Sequence, residues 1–108
     1  KLIELFIGNL SNAIVHEILE KAVSSESMAD KYRKELATSF GIAKRYREKI
    51  NPLKRTFPDK DINYIKEKII NNVKAELMIR ISKGYKNIDL TLVDRLVDKA
   101  LREVKIKM

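Results

Sequence analysis

Residues 2–23 have the sequence LIELFIGNLSNAIVHEILEKAV, and this stretch indicates the class of the fold. Its apolar residues recur every three or four positions, which is the period of an amphipathic α-helix and not the alternation of a β-strand. The recurring set is Ile3, Ile7, Leu10, Ile14 and Ile18, widened by Leu2, Phe6, Ala13 and Ala22. An apolar stripe this wide predicts that the helix contacts more than one neighbour.

The same stretch does not have the pattern of a signal peptide or a membrane span. Glu4 lies inside its apolar opening, and Asn9 and Asn12 interrupt it. A helix that spans a bilayer needs about 20 predominantly apolar residues, so we expect no contact with a membrane. The chain has no cysteine. The lack of cysteine and of a secretory pattern predicts a cytoplasmic location.

A second helix covers about residues 28–50 and ends before Pro52, because the residue before a proline disfavours the helical region. Ser27 and Asp30 resemble a capping box at its start. Along this helix the apolar stripe consists of Ala29, Tyr32, Leu36, Phe40, Ala43, Tyr46 and Ile50. Tyr46 also lies within a basic run, and its place on the stripe predicts packing at the edge of the core.

A third helix covers about residues 58–83 and stops at Gly84. Its apolar residues follow a strict spacing of four: Ile65, Ile69, Val73, Leu77 and Ile81. Such a row drifts by about 40° per step around the helix, which predicts that the helix crosses two neighbours. Lys66 and Arg80 lie near this row. We expect Arg80 to reach solvent and Lys66 to extend its stem over the apolar surface.

A fourth helix covers about residues 89–106, with Asn87 and Asp89 as candidate caps and a tail from Lys105 that we expect to fray. Its apolar stripe is the most regular in the chain and consists of Val93, Leu96, Val97, Ala100, Leu101 and Val104. The sequence therefore predicts an all-α fold: a single four-helix bundle-like domain over residues 1–108, with long amphipathic helices and short connections.

The predicted helices are long for a chain of 108 residues. A helix of 22 residues measures about 33 Å, whereas a compact chain of this size has a radius of gyration of about 13 Å. Long helices in a small chain often bury an apolar face against a second copy. We therefore expect a homodimer that forms through the first and third helices.

Basic side chains are unevenly distributed along the chain, whose net charge is +8. Residues 28–60 hold ten basic and four acidic side chains, whereas residues 1–27 hold two basic and four acidic ones. On a helical wheel, much of this basic charge lies opposite or beside the apolar stripe of the second helix. The candidate nucleic-acid or anion site consists of Lys31, Lys34, Lys44, Arg45, Arg47, Lys49, Lys54 and Arg55.

The sequence offers little for catalysis, metal binding or a cofactor. Cysteine is absent, and His16 is the only histidine. His16 and Glu20 share one helix face at a metal-ligand spacing, but no second histidine completes a site, and we expect the pair to face solvent. We therefore expect a protein that is not an enzyme, with no catalytic residues, metal or cofactor.

Two functions remain open from the sequence. The first is a small basic protein-interaction or scaffolding domain that self-associates by burying helical apolar faces. The alternative is an accessory protein that binds nucleic acid without sequence preference, through the basic face of the second helix and the linker that follows it. An acidic protein is a further partner that such a face would suit.

Overall fold

The computed structural model describes residues 2–50 and 57–106. These residues form an all-α, helical bundle-like domain, as the sequence predicts. The elements are α1 (Leu2–Ala22), α2 (Glu26–Ile50), α3 (Asp59–Ser82), a 3-10 turn (Leu90–Leu92) and α4 (Val93–Glu103). The predicted helix ends agree with these bounds within about two residues, except in the fourth helix.

Helix α1 is the centre of the core, because it packs against α2, α3 and α4. Its buried residues lie on more than one face: Phe6, Ile7, Leu10, Ala13, Ile14, Val15, Ile18 and Leu19. The wide apolar stripe predicted for this helix is thus confirmed. A helix that is apolar on most of its surface must be covered on most of its surface. The rest of the bundle is built around α1.

Helices α1 and α2 form an antiparallel hairpin. Three side-chain contacts place their residues in opposite order: Asn12 with Ser39, His16 with Glu35, and Glu20 with Arg33. The predicted capping box at Ser27 is wrong. Helix α2 begins at Glu26, two residues earlier than predicted, and Ser25 Oγ accepts a hydrogen bond from the Met28 backbone N–H at 3.4 Å. A serine before the first turn satisfies a backbone donor that would otherwise lack a partner.

Helix α3 contacts both α1 and α4, which confirms the crossing predicted from its spacing of four. Ile65, Ile69, Val73 and Leu77 are fully buried, whereas Ile81 at the end of the row is 36% exposed. The helix ends as predicted at Gly84, which has a φ of 99°. Two hydrogen bonds close this end: the Gly84 N–H donates to the Ile81 carbonyl, and the Tyr85 N–H donates to the Arg80 carbonyl. This pattern is a Schellman motif, which favours glycine at its left-handed position.

Helix α4 is shorter than predicted, because a 3-10 turn precedes it. The Asp89 side chain accepts from the Thr91 backbone N–H, so Asp89 caps this turn. The whole predicted stripe of α4 is buried. The expectation that the tail frays is wrong up to residue 106, since Ile106 is fully buried. The Ile106 N–H donates to the Leu101 carbonyl, and Lys105 adopts a left-handed φ of 62°.

The described chain is elongated, with principal extents of 42 × 24 × 23 Å and a radius of gyration of 13.9 Å. Helices of 21 to 25 residues fit along the long axis. Their length alone therefore does not require a second copy. The apolar surface of α1, which was predicted to join a dimer, is largely buried within the chain.

One described helix, α1, is long and apolar enough to cross a membrane by length and composition. Its most apolar 18-residue window has a mean hydropathy of 1.3. In the folded chain 56% of this window is buried, and a core helix meets the same criterion. The apolar character of α1 is accounted for by its central position.

Candidate functional site

The outer face of α2 carries four of the predicted basic residues. Lys31, Lys34, Arg45 and Lys49 are exposed, and they point away from α1. The N-terminal half of this face is partly neutralised, because Lys34 and Arg33 both form ion pairs with Asp30. The C-terminal half has fewer acidic neighbours. The basic surface is therefore concentrated in the second half of α2.

Arg47 does not belong to this surface, contrary to the sequence prediction. It is 5% exposed, and its Nη2 donates to the Lys105 carbonyl at 2.7 Å. Its guanidinium also lies over the Phe57 ring, 4.9 Å from the centroid. Burial lowers the pKa of Arg47. Arg47 thus joins the end of α2 to the residue that follows α4, and it cannot contact a ligand at the surface.

The contact of Arg47 with Lys105 assembles a basic end of the molecule. We use this name for Lys44, Arg45 and Lys49 of α2 together with Lys105 after α4. All four are exposed, and none of them forms a salt bridge with another described residue. Lys44 lies over the Phe40 ring at 4.6 Å. The predicted site residues Lys54 and Arg55 lie outside the described residues.

The aromatic residue within the basic run has the position expected of it. Tyr46 is half-buried and packs against the core. The Lys49 Nζ lies 5.8 Å from the centroid of its ring. Because the ring is half-buried in the core and Lys49 lies over it, the basic end resembles a surface for phosphates more than one for base stacking.

A polar cluster that the sequence prediction missed lies where α1, α2 and α3 meet. His16 is 8% exposed, so the expectation that it faces solvent is wrong. Its ring stacks on Tyr32 at a centroid distance of 5.9 Å, and its Nε2 lies 3.6 Å from Glu35 Oε1. Arg80 is partly buried beside this cluster, contrary to expectation, with its guanidinium over the Tyr85 ring. The cluster joins three helices through polar side chains.

The protonation of His16 is governed by burial. Burial lowers the pKa of His16 below its ordinary value of 6.5, and the positive charge of Arg80 adds to this effect. The carboxylates of Glu35 and Glu76 act in the opposite direction. Tyr32 responds similarly, since burial raises the pKa of its phenol. Both groups therefore favour their neutral forms in the fold.

We expect the domain to lose stability as the pH falls below about 6.5, the ordinary pKa of histidine. Because the pKa of His16 is lower in the folded state, the unfolded chain takes up a proton first. Neutral His16 makes its whole contribution to the free energy of unfolding above pH 6.5. This contribution is lost as the pH falls through the folded-state pKa of His16. Thermal melting between pH 8 and pH 5, followed by circular dichroism, measures this loss.

The His16→Gln variant is the control for this pH dependence. The melting temperature of this variant should change little between pH 8 and pH 5. Acidic residues such as Asp89 act only at lower pH, because hydrogen bonds from Thr91 lower the pKa of Asp89. An unchanged pH profile in His16→Gln would show that another group causes the loss.

Lys66 forms an ion pair that the sequence does not predict. Its Nζ lies 3.0 Å from Asp98 Oδ1 of α4, and both side chains are about one-third exposed or less. Lys66 therefore links α3 to α4.

Two clefts lie beside α1. An apolar groove of about 190 Å³ lies between α2 and α4, with α1 as its floor. Its apolar walls come mainly from Leu36, Ala37, Phe40, Leu96 and Ala100. A polar cleft lies between α1 and α3 on another side. Within residues 2–50 and 57–106, no group of three or more His, Cys, Asp or Glu residues could hold a metal ion.

Comparison of the chain with protein-family models, with curated proteins and with solved structures finds no match. The function of this protein is therefore inferred from the geometry of its described residues.

Proposed function

We propose that this protein is an accessory module that binds the phosphate backbone of nucleic acid through its basic end. The observation that carries the proposal is a set of exposed cations in the second half of α2 and just after α4, without ion-pair partners among the described residues: Lys44, Arg45, Lys49 and Lys105. Binding without sequence preference requires clustered lysine and arginine and no contacts with bases. We include a cytoplasmic location and no catalytic step in this proposal.

The favourable interaction of cations with the α2 helix dipole does not account for all four residues of the basic end. Cations favour the C-terminus of a helix, but the effect falls off within the last turn. Arg45 lies five residues before Ile50, the last residue of α2, and Lys105 belongs to another part of the chain. A phosphate surface accounts for all four cations together, because the fold draws them from two segments.

The test is fluorescence anisotropy of labelled duplex DNA and single-stranded RNA at 50 and 200 mM salt. Four phosphate contacts with duplex DNA should lose about 150-fold in affinity between these conditions, since the logarithm of affinity falls with a slope of about −0.9 per contact. The slope for a single strand is about −0.7 per contact, so the loss for RNA should be about 50-fold. Replacing Lys44, Arg45 and Lys49 by glutamine should reduce the loss for duplex DNA to about fourfold. No binding of either nucleic acid at 50 mM salt would overturn the proposal.

The matched control replaces Lys68, Lys74 and Lys83 by glutamine. These residues are exposed and lie on α3 or at its end, and their loss changes the net charge by the same amount. This variant should keep the salt dependence of the parent chain. An equal reduction in both variants would mean that binding follows net charge, and the basic end would not be the site.

Self-association remains the second candidate, now through α3 alone. Exposed apolar side chains lie at the end of α3 and in the turn that follows it: Met78, Ile79, Ile81 and Tyr85. Sedimentation velocity across a hundredfold range of protein concentration distinguishes the two functions. A sedimentation coefficient that rises with concentration, in a chain that binds neither nucleic acid, would favour the interaction or scaffolding role.

A synthetic acidic peptide in the anisotropy assay tests the acidic-protein alternative.

A further inference from the structure

The polar cleft between α1 and α3 has a volume of about 350 Å³. Its lining residues are Gly8, Asn9, Ser11, Asn12 and Val15 of α1, and Asn72 and Glu76 of α3. Pockets for small molecules begin at about 300 Å³ and place a few polar groups so that they converge on the ligand. The cleft reaches this size, and nearly all of its side chains are polar.

Ser11 at the base of this cleft is the observation that points to a ligand. The residue is 5% exposed, and its Oγ has no hydrogen-bond partner among the described residues. Buried hydroxyl groups in folded proteins nearly always have a partner. Because Ser11 lines the cleft, a molecule bound there can supply that partner.

The asparagines of the cleft offer mainly acceptors to such a molecule. Asn9 donates an N–H to the Leu5 carbonyl at 2.8 Å, and Asn12 donates an N–H to Ser39 Oγ at 3.0 Å. Each amide therefore uses one of its two N–H groups within the protein and keeps its carbonyl oxygen for an outside donor. These oxygens and the Ser11 hydroxyl make the cleft rich in acceptors.

Glu76 determines the charge of the ligand. Among the described residues it is the only ionisable one that lines the cleft, and its Oε2 forms an ion pair with Arg80 Nη2 at 3.7 Å. This separation is too long for a hydrogen bond. The carboxylate therefore keeps capacity for a closer donor and disfavours an anion in the cleft.

We propose that the cleft binds a primary ammonium group. An alkylammonium ion carries three N–H donors and one positive charge, which match the asparagine oxygens, the Ser11 hydroxyl and the Glu76 carboxylate. Gly8 leaves room for the attached carbon chain, because a Cβ built there has nothing within 4 Å. The amine can belong to a small free molecule or to the lysine side chain of a peptide. This inference is independent of nucleic-acid binding at the basic end.

The experiment titrates the ¹⁵N-labelled protein with butylamine and follows amide and side-chain resonances by NMR at constant ionic strength. We expect saturable shifts at Gly8, Ser11 and the asparagine side chains. Butanol and butyrate, which share the carbon chain but not the ammonium group, should produce no saturable shifts. Equal responses to butylamine and butanol, or shifts that do not saturate, would overturn the proposal.

Two variants test the geometry. Glu76→Gln removes the carboxylate and should weaken butylamine binding at least tenfold. Gly8→Leu places a side chain in the cleft and should abolish binding. The variant should still form α1, because leucine favours the helical conformation more than glycine does. Glu67→Gln, on α3 outside the cleft, is the matched control and should bind like the parent chain. Unchanged affinity in Glu76→Gln would refute the assignment even if Gly8→Leu failed to fold.

N-acetyl-lysine methylamide distinguishes the two sources of the amine. Tighter binding of this compound than of butylamine would assign the cleft to a lysine side chain in a peptide. Weaker binding would assign it to a small free amine. Failure of both compounds to bind would overturn the proposal.

Discussion

Replacing Leu19 by alanine is expected to lower the free energy of unfolding by about 2–5 kcal/mol. Leu19 is fully buried in α1 and lines neither of the two clefts. Its truncation leaves an enclosed cavity, so the loss of transfer free energy is joined by a loss of contacts around that cavity. Because a domain of this size is stable by about 5–15 kcal/mol, this loss is a large part of its total stability.

Leu5→Ala is the matched control for this prediction. It makes the same substitution in the same helix, but Leu5 is 47% exposed. We expect a change within about 0.5 kcal/mol, as for most surface positions. Urea denaturation followed by circular dichroism should shift the midpoint of Leu19→Ala and leave the slope unchanged. Equal midpoints for the two variants would contradict the central position of α1.

Replacing Arg47 by alanine is expected to destabilise the domain by about 2–3 kcal/mol, because a hydrogen bond from a charged group contributes about 1.5–3 kcal/mol. The substitution removes the donor to the Lys105 carbonyl and the guanidinium that lies over the Phe57 ring. These contacts hold the end of α2 against the segment that follows α4 and against Phe57, which precedes α3. Urea denaturation measures this loss in the same way.

Arg47→Met separates packing from charge. Methionine keeps most of the buried stem and removes the cost of burying a guanidinium, so this variant should recover most of the stability lost in Arg47→Ala. It should also bind nucleic acid like the parent chain at 50 mM salt, because Arg47 is buried. A loss of affinity as large as that of an Arg45→Gln variant would place Arg47 at the surface, as the sequence predicts.

The basic end shows why helical-wheel reasoning locates charge only in part. The wheel correctly placed Lys31, Lys34, Arg45 and Lys49 on the outer face of α2, since the buried face followed from the apolar period. It placed Arg47 in a second row that flanks the apolar stripe, and on that basis Arg47 was included in the candidate site. Arg47 lies close to the apolar stripe, and only the docking of the α4 end decides that its guanidinium turns inward to the Lys105 carbonyl. Lys105, distant in sequence, joins the basic end for the same reason.

The polar cluster and the polar cleft were less accessible to sequence reasoning. One signal was present: Asn9, Asn12, His16 and Glu20 recur at spacings of three and four along α1. This spacing indicates a polar stripe on a helix, but the sequence pattern could not say whether the stripe faces solvent. The structure places part of it against α2, where Ser39 and Glu35 lie opposite.

The sequence by itself determined the helical class, the position of each helix, the apolar residues of α3 and α4 that are buried, and the turn at Gly84. These features depend on local periodicity and backbone preferences, which neighbouring residues specify. Tertiary structure alone decided which polar side chains are buried. His16 and Arg47 are both covered by segments that are distant in sequence, and the environment of a side chain depends on which helices pack around it.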